Sequence, residues 1–302
     1  MKKLILFILY TTAIVATTDI ALGLMINKYV MTHQLPGRYQ KYDKLIRQVE
    51  PDILLIGNSA ILNGIDPSII EDSLGLTCYN GGMMGQDPDF FETMVDCALQ
   101  RYTPKVIMLG FRPEEMGEKV GDGIYDVLRP YYHTGYISID KHFDNTTKSE
   151  QILMQSNLYR YNGIWVRILL NSLYNKEKVS SNGSLMNDVP SVLPTIREIK
   201  NFDVPLKRKT DCIKRIIQKC QARGVKVLVC FPPTLQHFTQ TPLPCIKAVQ
   251  TICKENNVVC FIDYDNPNYQ QSPELFYDNN HLNVNGAKVY SSQMASKIKK
   301  EL

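Results

Sequence analysis

The sequence predicts an α/β protein in which helices cover both faces of a parallel sheet. Five short apolar runs recur along the chain, separated by segments with helical spacing. The first, Ile53 to Ile56, stops at Gly57 and gives way to Asn58-Ser59, as a buried parallel strand does where it feeds a helix. Composition agrees: 302 residues, 44% hydrophobic and 21% charged, suffice for one sizeable core with room for an insertion. A net charge of +4 without a long basic block gives no footprint for nucleic acid. The densest cluster, Lys207-Arg208-Lys209, reads as the solvated start of a helix.

The N-terminus comes first in the chain. Lys2-Lys3 precede an almost uninterrupted apolar run from Leu4 to Ile26, which at helical rise spans roughly 35 Å, enough for a bilayer core. Ala16-Thr17-Thr18 is a poor cleavage site, so residues 1–28 read as an uncleaved transmembrane anchor with 29–50 as juxtamembrane linker. Asp19 would face a partner helix, or else mark the end of a signal peptide's apolar region. With the lysines held inside, the body of a single-pass protein lies outside the cytoplasm.

The α/β domain then occupies residues 51–302. Asp66-Pro67-Ser68 supplies an N-cap and a first-turn proline for a helix to Leu74. Leu76 to Tyr79 is a second strand, ending in the loop Asn80-Gly81-Gly82-Met83-Met84-Gly85, too loose for a dinucleotide fingerprint. Pro88 to Arg101 has helical spacing, and Lys105 to Gly110 is a third strand. From about 112 to 206 the alternation breaks, which marks a cap insertion with one helix from Leu158 to Leu173. Tyr125, Tyr131, Tyr132 and Trp165 there suit a sugar site or the core of a lid. The alternation resumes with helix Lys209 to Arg223, stopped by Gly224. Strand Val225 to Phe231, helix Pro244 to Asn256, strand Val258 to Asp263 and helix Asn285 to Lys300 complete a three-layer, flavodoxin-like doubly wound fold.

Eight cysteines fall inside apolar strand or helix patterns with no C-x-x-C pair, so they read as buried thiols and a zinc site is not expected. A disulfide between neighbouring strands stays open. Asn145-Thr146-Thr147 and Asn182-Gly183-Ser184 match glycosylation sequons, which matter only in a eukaryotic secretory route. Ser59 sits where open α/β sheets bind ligands, at the carboxyl ends of the strands, although a structural serine at a strand end would read the same. The loop Asp278-Asn279-Asn280-His281-Leu282-Asn283 returns to that edge. His281 could take the Ser59 proton while Asp278 orients the imidazole. His33, His133, His142 and His237 lack such neighbours.

Gly57-Asn58-Ser59, the Asn80–Gly85 loop and Asp278-x-x-His281-Leu282-Asn283, in that order, resemble the SGNH (GDSL-like) hydrolase superfamily. The resemblance covers the chain from Asp52 onward except the insertion. It implies Ser59 as nucleophile, Asp278 and His281 as the other catalytic residues, and the N–H groups of Ser59 and Gly85 as oxyanion hole. The asparagine that the family places after its third strand is missing, since the chain reads Gly110-Phe111-Arg112-Pro113. Arg112 would be the substitute donor or a salt-bridged structural residue, and with Asn80 would contact substrate. The anchor and insertion resemble membrane-anchored SGNH-like proteins that work with membrane-bound O-acyltransferases in bacterial envelope modification.

The resulting expectation is an extracytoplasmic serine-dependent esterase or O-acyltransferase acting on an envelope polysaccharide, with an acylated glycan or acyl donor as substrate. No metal or nucleotide cofactor is expected. The alternative is a non-catalytic anchored scaffold or glycan-binding partner of an O-acyltransferase, favoured by Arg112 and opposed by the Ser59/Asp278/His281 set. A phosphate-binding module fails for want of a phosphate loop after the first strand.

Overall fold

The apolar runs become strands in a computed structural model that describes residues 1–117, 125–174, 179–199, 205–238 and 243–302. In chain order the strands are β1 (Ile53–Gly57), β2 (Cys78–Asn80), β3 (Val106–Gly110), β4 (Arg197–Ile199), β5 (Lys226–Phe231), β6 (Gln236–Phe238) and β7 (Val259–Ile262), and all but β4 and β6 fall on the apolar runs. The chain divides into two compact units, Met1–Asp43 with Tyr125–Lys178, and Lys44–Ile124 with Val179–Leu302. The 112–206 segment falls in both, and parts of it lie outside the described residues.

In the second unit, five strands form one parallel sheet in the order β2-β1-β3-β5-β7, the flavodoxin-like arrangement expected. β1 and β3 are buried along their whole length, so both faces need cover. Ile53, Leu55, Val106, Met108, Leu228 and Cys230 turn one way, into a cluster with Tyr290, Met294 and Ile298 of the last helix, Val284–Glu301. Alternate residues turn toward helices Pro88–Arg101, Lys207–Gln221 and Pro244–Glu255 on the opposite face. Asp66 and Pro67 open their helix as expected, and Gly224 closes its own at φ +71°. All eight cysteines are free thiols, seven of them buried.

Some expectations fail for local reasons. Lys209 is not solvated: it is fully buried, its Nζ donating to Gly117 O at 2.7 Å and lying 3.2 Å from Asp87 Oδ2. A short parallel pair, β4 with β6, was not expected, because three-residue strands carry too little pattern.

Among the described residues, one helix is long and apolar enough to cross a membrane, Lys2–Met31 in the first unit, as an anchor or a signal sequence must be. Its last six residues, Ile26–Met31, are π-helical. The helix expected from 158 to 173 is two, Asn157–Arg160 and Ile164–Tyr174, separated by a turn with Gly163 at φ +74°. Tyr131 and Tyr132 are buried, donating at 2.8 Å to Asp43 and Asp144 respectively. They pack the unit rather than line a cleft.

Glu92, between the helices Pro88–Arg101 and Lys207–Gln221, tests this packing. Burial pushes its carboxyl up, but hydrogen bonds from Arg215, Lys219 and Cys212 outweigh that and hold it at about 2 against an ordinary 4.5. A depressed folded-state value means stability that is present above pH 4.5 and lost as pH falls toward about 2. Thermal melts of Glu92→Gln should therefore show a lower Tm than wild type at pH 7, the gap closing between pH 4.5 and 2.

Candidate active site

β1 and β3 end side by side at Gly57 and Gly110, and their backbones approach closely. A Cβ on Gly57 would stand 2.5 Å from Gly110 O, and one on Gly110 would meet Ile61 at 2.1 Å. The Ile61 side chain occupies the space these two residues leave. Ile61 belongs to the short helix Ser59–Gly64, so this seating fixes the helix over the strand ends. Asn58 caps it, its Oδ1 accepting from Ala60 N at 2.7 Å. Ser59 thus occupies the first helical position, where the backbone N–H has no intrahelical acceptor.

The loop after β2 braces the same helix. Gly81 N donates to Leu55 O and Met83 N to Gly57 O, while a Cβ at Gly82 would stand 2.6 Å from Leu62 N. Asn80 is fully buried: its Nδ2 donates to Ile61 O and Ile65 O, and its Oδ1 accepts from Gly82 N. Every polar atom of that side chain is spent on backbone, so its part is structural and it does not face a substrate. Gly85 follows on this loop, exposed and at φ +66°.

The C-terminal loop brings the other two residues. Phe276 and Leu282 bridge in antiparallel fashion, and Tyr277 N donates to His281 O, which closes a tight turn around 278–281. Asp278 Oδ1 accepts from Asn280 N at 2.7 Å and from His281 N at 2.9 Å. His281 Nδ1 lies 2.9 Å from both carboxylate oxygens, and Nε2 lies 2.8 Å from Ser59 Oγ. An ionised carboxylate can only accept, so Nδ1 carries the ring proton and Nε2 accepts from the serine hydroxyl. Burial raises the Asp278 carboxyl, but the His281 ring and the two backbone N–H groups outweigh it, and it titrates below its ordinary value. Ser59 is 7% exposed and the His281 side chain 19%, so the pair is sheltered yet reachable.

Arg112 also reaches this loop. Its Nη2 donates to Asn280 O at 2.7 Å, holding the backbone beside His281. Thr234 Oγ1 and Leu235 N donate to the neighbouring carbonyl of Asn279. Leu282 is core, and Asn283, fully buried, caps the last helix through Asn285 N and Gly286 N. Residues the sequence did not single out also contribute. Asn63 Nδ2 donates to Leu185 O, and Asn187 O accepts from Val284 N, tying the serine helix and the last helix to one segment. Among the described residues, no group of three or more His, Cys, Asp or Glu could hold a metal ion.

No protein-family model matches the chain, and no curated protein matches it. Solved structures do. A protein described as an acylhydrolase from Bacteroides fragilis is 11% identical, with a TM-score of 0.46 over 87% of this chain and 96% of that one. A GDSL-like lipase from Bacteroides thetaiotaomicron is 11% identical, at 0.43 over 88% and 98%. A family two carbohydrate esterase from Clostridium thermocellum is 10% identical, at 0.43 over 82% and 63%.

The close approach at the strand ends is directly testable. Gly57→Ala should lose about 1–3 kcal/mol in urea unfolding, because a methyl must force the two strands or Ile61 apart. Stability equal to wild type would contradict the geometry.

Proposed function

We propose that this chain is a serine-dependent acyl-ester enzyme of the SGNH type, with Ser59 as nucleophile. The observation that carries the reading is the continuous hydrogen-bonded line from Ser59 Oγ through His281 to Asp278. His281 Nε2 takes the hydroxyl proton as Oγ attacks an acyl carbonyl, and Asp278 steadies the imidazolium. The tetrahedral oxyanion is met by the Ser59 N–H and, on the adjoining loop, the Gly85 N–H. His281 then protonates the leaving alcohol, leaving an acyl-serine. Water resolves it in hydrolysis, and a sugar hydroxyl resolves it in transfer.

The apolar helix Lys2–Met31 supports membrane attachment, with the two terminal lysines on the cytoplasmic side and the site outside. The substrate class proposed is an acylated glycan of the bacterial envelope, or an acyl donor presented by a membrane-bound O-acyltransferase. Arg112 acts as a positioning residue for the histidine loop.

Hydrolysis of para-nitrophenyl acetate tests the chemistry. Ser59→Ala and His281→Ala should fall to background, and Asp278→Asn should lose about a thousandfold or more in kcat. Arg112→Ala should lose on the order of a hundredfold through a displaced imidazole. A Ser59→Ala variant retaining wild-type turnover would overturn the assignment.

A further inference from the structure

The helix Ile164–Tyr174 is apolar on two sides and covered on one. Ile164 and Ile168, one turn apart, are buried in a cluster with Ile26, Met31 and Tyr161. Trp165, Val166, Leu169, Leu170 and Leu173 share another face, and each is between 39% and 66% exposed. Arg167 and Asn171 occupy a third side, donating to Tyr39 Oη and Pro36 O. The exposed apolar stripe is therefore one face of an amphipathic helix, and such a face needs an apolar partner or a membrane interface. At 11 residues this one rises only about 17 Å, far short of the roughly 30 Å of a hydrocarbon layer.

What lies against the exposed face is indicated by what the other face is packed on. Ile164 and Ile168 rest on Ile26–Met31, the end of the long apolar helix. That helix has 30 residues and extends about 45 Å, longer than a hydrocarbon layer needs, so its C-terminal part, from about Asp19 onward, extends into the headgroups. The attachment is specific. Asp19 accepts from Ser156 Oγ at 2.6 Å, from Asn157 N at 2.7 Å, from Asn157 Nδ2 at 3.1 Å and from Leu158 N at 3.0 Å. At Gly23, one turn on, a Cβ would stand 2.3 Å from Asn157 Cβ. The carboxylate, costly near lipid when unpaired, thus has four donors, and the 156–168 segment is locked to the apolar helix.

We propose that the exposed stripe of Ile164–Tyr174 lies in the boundary between headgroups and acyl chains of the bilayer that Lys2–Met31 crosses. The chain then grips the membrane by a span and an interfacial helix. This rests on the reading of Lys2–Met31 as a span. Trp165, Tyr174 and Tyr29, all exposed, are the amphipathic aromatics that favour this depth.

Trp165 is the only tryptophan in the chain, so its emission reads one depth. The full chain is reconstituted into phosphatidylcholine and phosphatidylglycerol vesicles, and insertion is scored separately by flotation and resistance to alkaline extraction. Trp165 should then be blue-shifted, shielded from acrylamide, and quenched most by lipids brominated high on the acyl chain. Leu169→Glu combined with Leu173→Glu should restore acrylamide quenching while the chain stays extraction-resistant and para-nitrophenyl acetate hydrolysis is unchanged. A chain that resists extraction, yet whose Trp165 is open to acrylamide and untouched by brominated lipid, would overturn the interfacial helix. A chain that neither floats nor resists extraction would overturn the span itself.

Discussion

Everything at the candidate site depends on two adjacent strands ending without side chains. Gly57 and Gly110 pair at the carboxyl ends of β1 and β3, where the strand order of the sheet reverses. Crevices form at such points, because the connections leave in opposite directions. Here the missing Cβ atoms let Ile61 drop between the strands, and the one-and-a-half-turn helix above it is held by its core residue. Ser59 is presented by that helix. The energy that positions Ser59 is therefore hydrophobic and steric, supplied mostly from below, with Asn80 and Asn63 securing the backbone from the sides.

The histidine arrives by a different principle. Residues 278–281 are only half-buried, and their loop is shaped by hydrogen bonds to its backbone: Asp278 folds back on two N–H groups, while Arg112, Thr234 and Leu235 hold the two preceding carbonyls. Asp278 consequently has two tasks, shaping the turn and orienting the imidazole. Its substitution acts on both. Arg112 reaches across to the loop and places one of its N–H groups against the Asn280 carbonyl.

The strands were legible because continuous burial leaves continuous apolar runs, and the helix ends because Asp66-Pro67 and Gly224 act locally. Ser59 could be named because it follows a strand end, and Asp278 and His281 because their loop carries a short motif that follows the serine in a recognisable order. Asn80 could not be read correctly: whether a polar side chain in a glycine loop turns to ligand or to backbone is set by Ile61 and Ile65, far from it in the chain. Lys209 misled for the same reason, since Asp87 and Gly117 lie in segments that sequence periodicity cannot bring together. The break at Gly163 was hidden because apolar spacing continues on both sides of it.

The central claim is that Ser59 is activated by His281, and the most direct measurement is where a fluorophosphonate lands. After incubation and proteolysis, mass spectrometry should find the adduct on the peptide containing Ser59 and on no other serine. His281→Ala should abolish it while leaving the far-ultraviolet circular dichroism unchanged. A folded wild-type chain that carries no adduct, or carries it on a different serine, would contradict the account.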